Sequence, residues 1–341
     1  IALFVTGRVP VRASGDGARP VPGADGRYDW VGWASGRQLP HYVAPESGRL
    51  VNANERVAPP DFPVFLARDG FDTWRADRIR VLLGKTDRHT VADFAAMQTD
   101  VIDPAAEALL PRLMAVAVTD PAAKAAQALL RGWNGAATRE APQPLIFNAW
   151  MIQAARLLRA RLGVPPAGDA ALAPWPQLLP YVLSPAGTAL CRGDCDALLA
   201  DALSAAVADL THRFGPDPAT WRWDSAHAAV FAHPMLSRLP LFAPLGVARI
   251  AVGGDDSTID RAGVAADTLA SVHGPEYRGV YDLANLDASL FVIAPGQSGN
   301  PFSRLGYNFL ERWRDGASVM LGPDPQRVAA RIVLQPAEPN P

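Results

Sequence analysis

The stretch Gly15-Asp16-Gly17-Ala18-Arg19-Pro20-Val21-Pro22-Gly23 runs into Tyr28-Asp29-Trp30-Val31-Gly32-Trp33. It continues through Leu39-Pro40 and Pro45-Glu46-Ser47-Gly48-Arg49-Leu50-Val51-Asn52-Ala53-Asn54, and closes on Trp74-Arg75-Ala76-Asp77-Arg78-Ile79-Arg80. Pro20, Pro22, Gly23, Gly26, Pro40 and Pro45 punctuate it at turn spacing. Between the turns lie short β-like runs at Ala2–Thr6 and Leu50–Ala53. Such a segment crosses a protein surface, and Trp30 and Trp33 read as packing that pins it down. Taken alone, two asparagines at i and i+2 after an apolar strand read as a turn. Taken alone, Arg75 to Arg80 reads as an exposed helix face of alternating charge.

Outward from that stretch, the chain of 341 residues is long enough for one to three domains. Hydrophobic residues make up 49% and charged residues 19%, the balance of a folded globular protein. A formal charge of -2 provides no general pull toward nucleic acid or an anionic membrane surface. No apolar run approaches the roughly 20 residues that span a bilayer. Gly84-Lys85-Thr86 is not a phosphate loop, because Ile79 stands where that motif requires glycine.

From Asp72 to Phe214 the pattern turns helical. Ile79, Leu82 and Leu83 share a face before Gly84. Thr90-Val91-Ala92-Asp93 is a capping pattern that opens a helix carrying Phe94, Met97 and Val101. Helices are expected at Leu109–Val118, Pro121–Leu130, Leu145–Leu162 and Asp196–Phe214, and frequent alanine favours them. Beyond Trp221, strands are expected at Ala248–Gly254, Gly279–Leu283 and Ser289–Ala294, then a last helix at Tyr307–Trp313 and a Pro-rich tail after Gln335. The order suggests three parts: a strand and loop segment over 1–71, a helical region over 72–220, and a return to strands over 221–341. Cys191 and Cys195 are spaced for a local disulfide, with two free thiols or a metal or redox role as alternatives.

The ordered series from Gly15 to Arg80 resembles the β chain of the penicillin acylase family, amidohydrolases of the N-terminal-nucleophile type. Pro295-Gly296-Gln297-Ser298-Gly299-Asn300-Pro301 resembles that family's C-terminal Gly-Gln-Ser-Gly turn. Asn300 stands where a nucleophile elbow requires glycine, so Ser298 is expected to bond backbone. The Ser-Pro-His-Tyr stretch usual downstream is replaced by Ser303-Arg304-Leu305-Gly306-Tyr307-Asn308. Trp221 to His227, His233-Pro234-Met235, and Gly253-Gly254-Asp255-Asp256-Ser257-Thr258 match further family blocks. His227 and His233 read as structural histidines, and Asp255-Asp256, without the resemblance, as a solvated turn.

The resemblance implies an α+β fold, part of an α-β-β-α sandwich with an inserted helical region. It implies hydrolysis of an N-acyl amide such as a penicillin, a cephalosporin or an acyl-homoserine lactone. The second Asn of the Asn-x-Asn segment is the family's oxyanion donor, which falls on Asn54 with Asn52 in support. The family arginine near the active site falls on Arg75, and Arg78 is left as structural. The nucleophile is an N-terminal serine well upstream of these motifs, and Ile1 is not one. The chain is therefore expected to be the downstream part of such an enzyme, inactive alone. Its partners would be the alpha chain and N-terminal beta segment of the same precursor, together with a small N-acyl amide. Residues that bind substrate are not identified. No cofactor is needed for the chemistry. A structural calcium is possible, but the matching positions, Gly17 and Asp61 or Val64, form no ligand set. A periplasmic or secreted location follows from the resemblance and fits a disulfide. A catalytically inactive relative with the same fold is the alternative. A periplasmic solute-binding protein is weaker, since its regular strand-helix alternation is missing.

Overall fold

In a computed structural model the described residues are 1–68, 70–164, 175–241, 245–300, 302–323, 330 and 332–335. Pro301 and the Pro-rich tail after Gln335 lie outside them. Along the chain come β1 (Ala2–Phe4), β2 (Pro10–Arg12), β3 (Trp30–Trp33), β4 (His41–Val43) and α1 (Trp74–Leu83). The helices α2 (Val91–Met97), α3 (Pro104–Met114), α4 (Pro121–Leu129), α5 (Gln143–Leu162), α6 (Trp175–Val182) and α7 (Cys195–Phe214) follow. Then come β5 (Ala228–Ala232), β6 (Val247–Ala251), β7 (Gly263–Val264), β8 (Ser271–His273), β9 (Tyr277–Val280), β10 (Leu290–Ile293), α8 (Leu310–Arg314) and β11 (Val319–Met320).

These elements form two compact units. The first comprises Ile1–Asp87, Asp100–Ala229 and Ala251–Gly274. Its core is built by α3 to α7, with α5 at the centre. Every residue from Pro144 to Ile152 is buried, as in a helix enclosed on all sides. Trp150 and Phe147 are wholly buried, each such side chain contributing about 1.5–3 kcal/mol by leaving water. The Trp150 indole N–H donates to the Leu199 carbonyl of α7 at 2.8 Å. Ala149, Ala154 and Ala155 on α5, with Ala202 and Ala206 on α7, are buried and keep that contact close. Gly163 ends α5 in the left-handed conformation, φ 70°, where a residue without Cβ is favoured.

Just before α7, Cys191 and Cys195 are joined by a disulfide with Cα atoms 5.4 Å apart. The alternatives of free thiols and a metal site are thereby removed. Asp194 caps α7 by accepting from Asp196 N. In the same unit β1 pairs antiparallel with β4, and β2 with β3 across a bulge at Val11 and Arg12. Ala229 of β5 pairs in parallel with Ser271 of β8, whose other neighbour is β7.

The expected strand at Leu50–Ala53 is not one. An apolar run becomes a strand only with a ladder partner, and among the described residues none pairs with it. Val101 lies beyond the end of α2 at Met97. Helix α6 lies in the region expected to be helical but outside the helices named there, and carries Pro180 within it.

The second unit comprises Arg88–Thr99, Val230–Ile250 and Pro275–Pro341. Its sheet is β9, β10 and β11, all antiparallel, with Leu290 opposite Val280 and Met320. Thr90 caps α2 in a box with Asp93, and Gln98 ties this helix to β9 by donating to Gly279 O at 2.9 Å. The buried Trp313 of α8 packs edge-on against Phe231 and lies under the Arg278 guanidinium.

Candidate functional site

Asn54 follows the apolar run Leu50–Ala53 and takes φ 71°, the left-handed region. Asparagine tolerates that region better than other residues with a Cβ. The turn is built locally. Asn52 Oδ1 accepts from Asn54 N at 3.2 Å, and the buried Glu55 carboxylate accepts from Ala53 N at 2.6 Å. Glu55 is also held by Arg80 at 3.0 Å. The backbone amides of Ala53 and Asn54 are therefore both held from within the turn.

Arg75, the second residue of α1, comes to this turn from a distance of 21 residues. Its Nη2 donates to Ala53 O at 2.6 Å and to Asn54 Oδ1 at 3.1 Å. A guanidinium can only donate, so this contact fixes which end of the Asn54 amide is oxygen. The Nδ2 end keeps both of its protons free of partners among the described residues. Asn54 lines a cleft of about 450 Å³ with Val57, Phe62, Val64 and Leu66. Asn52 lines a different cleft, of about 470 Å³, with Glu55 and Arg80.

A cation near a helix N-terminus opposes the helix dipole, so Arg75 is held by its surroundings. Burial first, then the nearby Arg261 charge, pulls its pKa below the usual guanidinium value, with Asp72, Glu55 and Asp256 acting in the other direction. The Phe71 ring lies 5.7 Å from Arg75 Cζ. Arg78, one turn on, is bidentate to Asp100 at 2.9 and 2.6 Å and anchors α1.

The other expected residues lie elsewhere. In the first unit His227 is fully buried, stacked on Trp223 at 4.1 Å and bonded through Nδ1 to Leu269 O at 2.7 Å. Burial lowers its pKa to about 4. In the second unit His233 Nδ1 accepts from Met235 N and Leu236 N, each at 3.2 Å. Ser298 Oγ accepts from Asn300 N at 3.2 Å, a turn contact. The positions considered for calcium assemble no donor set: Asp61 is exposed, and the Arg12 guanidinium packs against Gly17. Among the described residues no three His, Cys, Asp or Glu side chains come together to hold a metal ion.

Asp255-Asp256 is not a solvated turn. Asp255 is wholly buried, close enough to the equally buried Asp103 for their charges to interact, and burial favours the protonated form of each. Burial raises both, and the charge of Asp255 adds to the rise at Asp103. Asn148 of α5 donates to Asp255 Oδ2 at 3.4 Å. Asp256 pairs with Arg261 at 3.2 Å, both nearly enclosed, and burial pushes Asp256 up to about 7. The available signal was the pair of acids set among Gly253, Gly254, Ser257 and Thr258, small residues that let carboxylates sink beneath a surface.

The sequence profile of the penicillin amidase family matches residues 1–330. Penicillin acylase 2 proenzyme of Pseudomonas sp. (strain SE83) is 31% identical, over 98% of this chain and 44% of that protein. Acyl-homoserine lactone acylase QuiP of Pseudomonas syringae pv. syringae (strain B728a) is 28% identical, over 93% of this chain and 42% of its own. The chain thus spans less than half the length of these curated relatives. A thermostable penicillin G acylase from Alcaligenes faecalis superposes with a TM-score of 0.66 at 17% identity, over 99% of this chain and 66% of that one. The fold is therefore the α+β arrangement of N-terminal-nucleophile hydrolases, as expected. Matched almost end to end by the family's profile and carrying its fold, the chain belongs to the penicillin amidase family.

Proposed function

We propose that this chain is the downstream portion of the β subunit of an N-acyl amide hydrolase, and that Asn54 supplies an oxyanion-hole donor. A serine preceding Ile1 in the precursor would be the nucleophile. Its own α-amine, with a reference pKa of about 7.7–8.0, would take the hydroxyl proton as attack on the carbonyl begins. The carbonyl oxygen gains negative charge in the tetrahedral intermediate and needs a fixed neutral donor. The intermediate collapses to an acyl-enzyme, the amine leaves with a proton, and water completes hydrolysis. Arg75 would serve by holding Oδ1 so that Nδ2 stays directed at the oxyanion.

The observation that carries this reading is the contact of Arg75 Nη2 with both Ala53 O and Asn54 Oδ1. It leaves the amide nitrogen of Asn54, an exposed residue that lines a cleft, without a partner among the described residues. The family relationship supports an amide substrate, with penicillins and acyl-homoserine lactones as the first classes to try. Its partner would be the upstream part of its own precursor, and the disulfide supports a periplasmic or secreted location. No described helix is long and apolar enough to cross a membrane.

The test is hydrolysis of N-acyl amides of graded chain length by protein made from the full reading frame. Asn54→Ala should lower kcat by about 10²–10³-fold, the usual loss for one oxyanion donor. An unchanged kcat in a folded variant refutes the assignment. The 341 residues alone should show no hydrolysis.

A further inference from the structure

Arg75 fixes Asn54 with a single nitrogen, yet among the described residues it forms no ion pair with a carboxylate. A half-buried cation in that position needs compensation from elsewhere. The structure provides it from behind. Phe71 presents its ring 5.7 Å from Arg75 Cζ, and the same ring lies 5.7 Å from Cζ of Arg261. Two guanidinium groups thus share one aromatic ring, which attracts both while their charges repel. Asp256 neutralises the rear one at 3.2 Å, with side chains only 10% and 6% exposed for Arg261 and Asp256. The second Asp256 oxygen accepts from Val264 N at 3.2 Å, which ties the carboxylate to β7.

We propose that Phe71, Arg261 and Asp256 are positioning residues, which seat the Arg75 guanidinium and through it set the direction of the Asn54 amide. This rests on the reading of Asn54 as the oxyanion donor. None of the three touches Asn54 by any contact described, so they act only through Arg75. Without the ring, Arg75 loses the surface that fixes its plane. Without the Asp256 charge, Arg261 stands uncompensated and pushes Arg75 away from Asn54.

The arrangement also carries a pH dependence. Asp256 is faced by Arg261, which holds its proton off, and by Asp255 and Asp72, which favour the proton. Arg261 in turn touches His273 Nδ1. With burial dominant, Asp256 changes charge at about 7. Below that pH the protein with Asp256 behaves as one carrying asparagine there.

The test is a double-mutant cycle in protein made from the full reading frame, read as kcat and KM on an N-acyl amide. Phe71→Leu and Asp256→Asn should each lower kcat by about tenfold or more with KM within about twofold, since small misplacement of a catalytic group costs this much. Phe71→Tyr, which keeps the ring, should restore most of it. On an Asn54→Ala background neither change should cost anything further, because the group they position is gone. The ratio of wild-type to Asp256→Asn rates should shrink toward one as pH falls below about 7. Two results overturn the proposal: unchanged kcat in folded single variants, or a full additional loss in the Asn54→Ala background. Asp256→Asn is isosteric and decides the matter if Phe71→Leu does not fold. If Asn54→Ala itself leaves kcat intact, the oxyanion assignment fails and the proposal with it. If Asn54→Ala abolishes turnover while the supporting variants do not, only the support fails.

Discussion

Substitution of the buried His227 by glutamine should change how stability responds to acid. His227 is wholly buried, its Nδ1–H donates to Leu269 O at 2.7 Å, and its ring stacks on Trp223. Burial depresses its pKa from 6.5 to about 4. The unfolded chain therefore binds a proton first as pH falls, and the folded state loses stability from about 6.5 down through about 4. At about 1.36 kcal/mol per unit, the full window corresponds to about 3 kcal/mol, of which about 2 kcal/mol is lost between pH 7.5 and 5. Asp103, Asp255 and Asp256 have raised values and act with the opposite sign, favouring the folded state at low pH. Their contribution is common to wild type and His227→Gln and cancels in the difference. Glutamine retains a donor for Leu269 O but does not titrate. The assay is denaturant unfolding at pH 5 and 7.5, followed by tryptophan fluorescence, since Trp150, Trp221 and Trp223 are all buried. The stability gap between the two proteins should shift by about 2 kcal/mol in favour of the variant at pH 5. Parallel pH dependence in both would refute the reasoning.

Other perturbations test the packing directly. Replacing both Cys191 and Cys195 by serine opens a very short loop and should cost about 2 kcal/mol by chain entropy, read as a lower Tm. Intact mass before and after reduction should differ by the two hydrogens of the bridge. Trp150→Ala should cost about 3–5 kcal/mol, because it empties the centre of α5 and also removes the indole hydrogen bond to Leu199 O. A midpoint within 1 M urea of wild type, with the slope unchanged, would mean that the core does not depend on that ring, given a typical slope of about 1–3 kcal/mol/M.

The candidate site residues came from the family resemblance, since taken alone Asn52 and Asn54 read as a turn and Arg75 as part of an exposed helix face. Only the helix that carries Arg75 and its stop at Gly84 were written locally. The long apolar runs of α5 and α7 were likewise legible, because burial on all sides leaves a continuous signature. What could not be read was contact across the chain. Phe71 meets Arg261, and Asp103 meets Asp255, only after the helical region has folded between them. Two acids in a glycine-rich turn look solvated until a helix is laid over them. Leu50–Ala53 shows the converse, since residues suited to a strand do not make one where no partner lies alongside. The disulfide was open in the sequence, as spacing alone allowed free thiols, and Cα atoms 5.4 Å apart closed it.

The left-handed backbone at position 54 narrows what evolution or an engineer can place there. Glycine would follow the bend but carries nothing for Arg75 to grip. Aspartate would follow it and bind Arg75, but would bring an anion where a neutral hydrogen-bond donor stands now. Glutamine keeps the amide, yet must adopt a backbone that strains most side chains by about 1–2 kcal/mol. Asparagine alone meets both demands, so variation in this region should be sought in its neighbours.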